Sequence, residues 1–155
     1  MAPTPDGHGY WLVASDGGVF SFGDATFRGS MGGRHLNQPI VGMSADDATG
    51  GYWLVATDGG IFSYQAPFLG STGSIRLVQP VNGMAALADG MGYWFVASDG
   101  GVFNGGTARF QGSMGGTTLN APVVGMAVDP ATGGYWLVAS DGGIFSFDAP
   151  YLGAG

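Results

Sequence analysis

Residues 9–22 read GYWLVASDGGVFSF, and the same phrase returns three more times along the chain. The other copies read GYWLVATDGGIFSY at residues 51–64, GYWFVASDGGVFNG at 92–105 and GYWLVASDGGIFSF at 134–147. A phrase that returns every 20 to 50 residues, roughly, is typical of proteins built from one repeated structural unit. Four equivalent units rarely contain one unique catalytic centre, so the repetition also argues against an enzyme.

A methionine stands eight residues before each phrase and fixes the phase of the repeat. The spacings between successive methionines are 42, 41 and 42 residues. We therefore predict one repeat domain of four units, approximately residues 1–42, 43–83, 84–125 and 126–155. The last unit is about 12 residues shorter than the others, as expected for a piece of a longer array. The four marker residues are Met1, Met43, Met84 and Met126.

A second, longer period is superimposed on the first. Units one and three share the pattern F-(R/Q)-GSMGG, whereas units two and four share AP-(F/Y)-LG. The larger repeat, from Met1 to Met84, is 83 residues long. This alternation indicates duplication of a two-unit block and favours an even number of units in the complete object.

The composition indicates a packed protein and excludes several classes of partner. The 155 residues include 32 glycines, yet 45% are hydrophobic and 13% are aromatic. Disordered chains have lower fractions of both. The net charge is −7, with four Lys and Arg in total, so the surface does not attract nucleic-acid phosphate or anionic lipid. Cysteine is absent, which excludes disulfides and thiolate metal sites.

The repeated phrase predicts a β-hairpin. A run of strand-forming residues is followed by Asp16-Gly17, which is the strongest short hairpin signal, and a two-residue type I′ turn would place Trp11 opposite Phe22. Both faces of this hairpin are mainly apolar, although an antiparallel sheet with one wet face alternates apolar and polar residues. The hairpin is therefore expected to be covered on both sides, as in sheets stacked face to face.

Two further short strands complete each unit of the prediction. One surrounds Phe27 and its counterparts and would lie outermost, and one at residues 39–43 would lie innermost. Four short strands in about 42 residues are typical of a β-propeller blade. We predict an all-β protein, a β-propeller built of four-stranded antiparallel blades, with about four blades per chain. A β-trefoil requires three-fold closure, and a β-solenoid has shorter coils.

The phrase GYWLVASDGGVFSFGDA and the PIVGM segment that follows it resemble tandem repeats of secreted and cell-surface actinobacterial proteins. The pattern is also similar to propeller repeats of the chromosome-condensation-regulator type. The resemblance implies an extracellular or cell-surface location and a part in a larger exported protein. Unit three departs from the pattern because Asn104-Gly105-Gly106 replaces Ser-Phe-Gly, which predicts a weaker contact between blades there.

Three repeated residue types are the candidates for sites. The tryptophans are predicted to pack between blades, the tyrosines are the candidate ligand-binding residues, and the aspartates are predicted to form the hairpin turns. One carboxylate per unit does not make a calcium loop, the histidines His8 and His35 do not recur, and no nucleophile elbow is present. We therefore expect no catalytic residues, no metal and no cofactor. The three sets are Trp11, Trp53, Trp94 and Trp136; Tyr10, Tyr52, Tyr93 and Tyr135; and Asp16, Asp58, Asp99 and Asp141.

Association is the remaining prediction from the sequence. An open arc of four blades exposes two apolar end faces of roughly 300 Å² each in plan, and only 10% of the residues are charged. Either the four blades close on themselves or two chains join into an eight-bladed ring, which we favour. The function predicted is a non-catalytic binding or scaffolding module. A glycan-binding, lectin-like propeller is the alternative, and a hydrolase that uses the central funnel is a more distant one.

Overall fold

The computed structural model describes residues 1–155 and consists of twelve strands. No helix is present that could cross a membrane. The strands are β1 (Ala2–Pro3), β2 (Gly9–Val13), β3 (Val19–Gly23), β4 (Ile40–Asp46), β5 (Gly51–Ala56), β6 (Ile61–Tyr64), β7 (Val81–Ala86), β8 (Gly92–Ala97), β9 (Val102–Gly106), β10 (Val123–Val128), β11 (Tyr135–Ala139) and β12 (Ile144–Phe147).

The strands form four antiparallel sheets of three strands each, in the order of the chain: β1-β2-β3, β4-β5-β6, β7-β8-β9 and β10-β11-β12. The first strands of successive sheets contact one another, β1 with β4, β4 with β7, and β7 with β10. Each sheet is thus a blade, and the innermost strands surround a common axis, as predicted for a β-propeller. The blades begin at Ile40, Val81 and Val123, three residues before the methionines that mark the sequence repeat.

The hairpin in each blade is displaced by one residue from the predicted register. Tyr10 lies opposite Phe22 and Trp11 opposite Ser21, because the loop contains three residues rather than two. The Gly17 amide donates to the Ala14 carbonyl at 2.8 Å, and Gly17 has a φ of 78°. A type I turn followed by a left-handed glycine closes a three-residue loop, so the predicted type I′ turn was wrong.

The predicted outermost strand does not form, and each blade therefore has three strands instead of four. The segments around Phe27, Phe68, Phe110 and Tyr151 run beside the blades without pairing. In each blade the indole of the tryptophan in the repeated phrase donates to a carbonyl of this segment. Trp53 Nε1, for example, donates to the Pro67 carbonyl at 2.7 Å. The indole thus occupies an acceptor that a strand ladder would need, and Pro67 has no amide hydrogen to donate.

The hydrophobic core lies between the blades. Three clusters of buried side chains fill the three junctions, and each combines one face of a blade with the facing side of the next. The first junction joins Trp11 and Val19 of blade one to Tyr52 and Leu54 of blade two. Stability in such an array comes from the contacts of each unit with its neighbours, so a blade at either end lacks half of its core.

Candidate functional site

A tyrosine connects each blade to the preceding one. The hydroxyls of Tyr52, Tyr93 and Tyr135 donate to glycine carbonyls at 2.6, 2.5 and 2.5 Å. Each of the same hydroxyls accepts a backbone amide from the residue before that glycine, at 3.0, 3.2 and 3.1 Å. The acceptor carbonyls belong to Gly29, Gly70 and Gly112, and the amides to Arg28, Leu69 and Gln111.

Burial raises the pKa of the Tyr52, Tyr93 and Tyr135 hydroxyls above the ordinary tyrosine range. The amides that donate to these oxygens act in the opposite direction, as does the nearby Arg28 for Tyr52. The neutral hydroxyl is the form that can donate to the glycine carbonyl, so burial preserves the donor that joins the blades.

The tryptophans pack against these tyrosines across each junction. The ring centroids of Trp11 and Tyr52 are 5.5 Å apart, and the next two pairs are separated by 5.4 and 5.5 Å. The rings are tilted by 52–58°, an arrangement that aromatic pairs prefer to a face-to-face sandwich. Each indole nitrogen is occupied by a carbonyl of its own blade, so the rings have no free polar edge for a ligand.

The structure corrects the expectation that the four tyrosines face a ligand. Tyr52, Tyr93 and Tyr135 are 0% exposed, and their hydroxyls are already bonded to the backbone of the neighbouring blade. The sequence does contain a signal for this contact, because the glycine that accepts each hydroxyl lies 23 residues before its tyrosine. Tyr10 is the exception at 38% exposure, since no blade covers this side of blade one in the structure.

Two end faces therefore remain open, and they differ in composition. The leading face belongs to blade one and consists of Tyr10, Leu12, Phe20 and Phe22, all of which are exposed. The trailing face belongs to blade four and comprises Trp136, Val138 and Ile144, together with the adjoining Leu152 and Gly153. The counterparts of the central residues inside the array, Leu54 for Leu12 and Val55 for Val138, are 0% exposed.

The hairpin aspartates stabilise their own loops. The side chain of Asp16 accepts the Gly18 amide at 2.8 Å, and the same bond recurs from Asp58, Asp99 and Asp141 at 2.9, 2.9 and 3.0 Å. Asp and Asn commonly close turns by accepting the amide two residues ahead. This geometry accounts for the aspartate of every unit as a turn residue.

Unit three does not lose its contact where the aromatic residue is missing. Gly105 stands in the position of Phe22, but Leu69 of the preceding blade lies directly beside it. The Gly106 amide also donates to the Leu69 carbonyl at 3.2 Å. Leu69 thus contacts the third blade at the point where the aromatic residue is missing.

A cavity of about 550 Å³ opens at one end of the propeller axis. It is lined mainly by small apolar and methionine residues of the inner strands, including Met43, Met84 and Ala85, with Asp47 and Asp89 at its rim. Burial and the neighbouring Asp46 raise the pKa of the Asp47 carboxyl. Both aspartates follow the inner strands rather than lying within them.

Asp46 is 1% exposed, unlike its exposed neighbour Asp47. Its carboxylate accepts the Ala48 amide at 3.1 Å and the Thr49 hydroxyl at 2.7 Å. Asp129 repeats both bonds in blade four, so these aspartates order the loop before the second strand.

One acidic cluster lies on the surface of blade one. Asp6, His8 and Asp24 are exposed and close together, and His8 Nδ1 lies 3.1 Å from an Asp6 oxygen. Hydrogen bonding to the His8 amide and to Thr4 lowers the pKa of Asp6, and the bond to Asp6 raises the pKa of His8. His35 lies elsewhere, in the exposed connection between β3 and β4.

Comparison with known proteins supports the propeller fold. No protein-family model and no curated protein matches the sequence. The structure is similar to the β-propeller domain of Cps50 (Swd1) from Myceliophteria thermophila, with a TM-score of 0.57 and 12% identity over 97% of this chain and 52% of that one. It is also similar to a structural genomics protein of unknown function from Bacteroides thetaiotaomicron, with a TM-score of 0.53 and 13% identity over 88% of this chain and 43% of the other.

This chain spans about half the length of the solved structures that it resembles. The likeness at 12–13% identity concerns the fold alone. Together with the blade topology, it establishes that the chain adopts a β-propeller fold.

Proposed function

We propose that this chain is a non-catalytic scaffolding or binding module, a half-propeller that completes its ring by pairing with a second copy of itself. The observation that carries the proposal is the open state of the two end faces. Leu12 on the leading face is 37% exposed, whereas its counterparts Leu54 and Leu137 are 0% exposed within the array. The apolar composition of these faces is that of surfaces which a neighbouring blade covers inside the array.

The area involved suits a stable dimer. A ring of two chains contains two seams, each of which is the contact between an end face of one chain and an end face of the other. With roughly 300 Å² in plan per face, the two seams remove about 1,200 Å² from solvent. Specific protein–protein interfaces begin near this size. The two seams form and break together in a closed ring, and the likeness to about half of another propeller domain is consistent with two copies per ring.

The structure weakens the support for a glycan-binding function. Three of the four tyrosines that could have presented a hydroxyl to a ligand are buried between blades. Asp47 and Asp89 are the acids that line the funnel cavity, and most of its other lining residues are apolar. A scaffold that presents its loops and funnel rim to another macromolecule fits these surfaces better, and the resemblance of the repeats to actinobacterial surface proteins supports a position outside the cell.

Light scattering during size-exclusion chromatography tests the proposal directly. We expect a mass near twice the 15.7 kDa of the chain at micromolar concentration, with dissociation on dilution. A mass of one chain at every concentration would overturn the two-copy ring.

A further inference from the structure

We propose that the second copy docks head to tail, with Tyr10 of one copy seated on the Leu152–Gly153 segment of the other. In this seam the Tyr10 hydroxyl donates to the Gly153 carbonyl and accepts the Leu152 amide. The inference rests on the proposed self-association and goes beyond it, since it specifies the residues in contact and the polarity of the ring.

The spacing within the chain identifies the seat. Every inter-blade tyrosine bonds a glycine that lies 23 residues before it and the amide of the residue before that glycine. Gly153 stands at the same place in blade four as Gly70 in blade two, within the shared sequence AP-(F/Y)-LG. Within residues 1–155 the Gly153 carbonyl accepts no hydrogen bond, so its place is open to the tyrosine of another copy.

The seat already has the required backbone conformation. Gly153 has a φ of 112°, close to the 137°, 119° and 136° of Gly29, Gly70 and Gly112, whose carbonyls accept the tyrosine hydroxyls. This is the left-handed region that side chains other than glycine adopt rarely. The acceptor in blade four is therefore preformed before any partner arrives, which reduces the ordering cost of association.

The absence of a side chain at the seat has a second reason inside the array. A Cβ on Gly29 would meet the ring of Tyr64, and one on Gly112 would meet the ring of Phe147. Both aromatic residues occupy the position of Phe22 in the following blade. Nothing lies within 4 Å of the corresponding point on Gly70, which faces Gly105 instead of an aromatic residue, or on Gly153. Phe22 of a second copy would fill the space at Gly153 as Tyr64 and Phe147 fill theirs.

The leading face presents its aromatic pair in a similar way. The rings of Tyr10 and Phe22 lie 5.1 Å apart at an angle of 21°, and the pairs Tyr52–Tyr64 and Tyr135–Phe147 inside the array lie 5.6 Å apart at 44° and 41°. Leu152 is 82% exposed, whereas its counterpart Leu69 packs against the next blade. Docking thus covers Leu152 with the leading face and gives Tyr10 the partners that its counterparts have.

The substitution Tyr10→Phe tests the hydrogen bond alone. Each ring contains two seams, so loss of one hydroxyl from each is expected to raise the dimer dissociation constant by about tenfold or more. The ring of Tyr10 and its packing on Phe22 remain, and the free chain has no bond to this hydroxyl to lose. The dissociation constant of the Tyr10→Phe variant is measured by sedimentation equilibrium beside that of the wild type.

A complementation experiment tests the polarity. Leu12→Arg places a charge on the leading face and Leu152→Glu places one on the trailing face, both at positions that are exposed in the free chain. Each variant alone is expected to be monomeric, and an equimolar mixture is expected to recover dimers. In the mixed dimer one seam is unaltered, and in the other the two new charges are opposite. Val78→Arg, at a residue 89% exposed and outside both end faces, is the control that stays dimeric.

The outcomes separate the two proposals. The head-to-tail seam is wrong if the wild type and Leu152→Glu both dimerise, or if mixing the two variants restores no dimer. In either case the proposed self-association still stands. An unchanged dissociation constant for Tyr10→Phe would contradict the tyrosine seat in the same way. If the wild type is a monomer throughout, the proposed function itself has failed.

Discussion

One residue in each unit, the tyrosine that follows the first glycine of the repeated phrase, takes its role from whether a blade precedes it. Tyr93 is buried and makes two hydrogen bonds to blade two, while Tyr10 has the same local sequence and is exposed. A buried carbonyl or amide that loses its partner costs free energy, because water cannot replace the bond. The tyrosine hydroxyl is thus a connecting element between blades, and only at the leading face is it free.

The substitution Tyr93→Phe measures this connection inside the array. We expect the free energy of unfolding to fall by about 1–2 kcal/mol, because the Gly70 carbonyl and the Leu69 amide, which belong to half-buried residues, lose this partner. Urea denaturation followed by tryptophan fluorescence gives the value. The matched control is Tyr64→Phe, whose hydroxyl makes no hydrogen bond, and a loss as large in the control would contradict this explanation.

At the scale of the element, the sequence predicted the hairpins but not their register. Asp16-Gly17 correctly placed the reversal of the chain, yet both the two-residue and the three-residue loop use an aspartate followed by a glycine. What separates them is the conformation of Ser15 and Asp16, which their side chains do not dictate. The shift of one residue places Ser21 instead of the predicted Phe22 opposite Trp11. The alternation of faces within β2 is unaffected.

The outer strand shows a different limit of sequence reasoning. Short aromatic segments between Gly and Pro were interpreted as strands, but the indole of each tryptophan takes a carbonyl there, as Trp53 does from Pro67. A hydrogen bond from a residue 14 positions earlier leaves no trace in local strand propensity. In the same way, the burial of Tyr52 and Tyr93 depends on a neighbouring blade, which the pattern of one unit does not contain.

The hairpin loops provide a prediction at this scale, through two glycines with the same backbone conformation. Gly59 has a φ of 77° and Gly133 a φ of 76°. An alanine methyl at Gly59 would overlap the hydroxyl of Thr72, whereas nothing lies within 4 Å of the same point on Gly133. Gly133→Ala is therefore expected to cost only the conformational penalty, about 1–2 kcal/mol, and Gly59→Ala more than that.

Thermal or urea unfolding of the two variants compares these costs. The difference between them isolates the contact of the Gly59 hairpin with Thr72, whose amide donates to the Gly59 carbonyl at 3.1 Å. Equal losses would show that this loop accommodates the methyl by moving, and that the hairpin is not held by the segment that follows it.

At the scale of the whole molecule, four blades are joined by three equivalent junctions, and no single core unites them. Each junction contains one buried tyrosine whose hydroxyl pKa is raised by burial. A condition that acts on this group acts on all the junctions at once. Alkaline pH is such a condition, because ionisation removes the proton that the tyrosine donates to the glycine carbonyl.

The direction of the effect follows from the raised pKa. Above about pH 10 the unfolded chain releases its tyrosine protons more readily than the folded chain does, so the unfolded state binds fewer protons. Stability is therefore complete below about pH 10 and is lost as the pH rises from there through the raised values of the folded protein. Tyr64, whose pKa burial also raises, adds to the same loss.

Urea midpoints between about pH 8 and pH 11 test this expectation. They are best measured in the Leu12→Arg background, so that association of the end faces does not contribute. We expect a constant midpoint up to about pH 10 and a steep fall above it, with a shallower fall in the Tyr93→Phe variant, because one of the titrating hydroxyls is gone. A midpoint that stays constant to about pH 11, or a slope that Tyr93→Phe does not reduce, would mean that these hydroxyls do not hold the blades together.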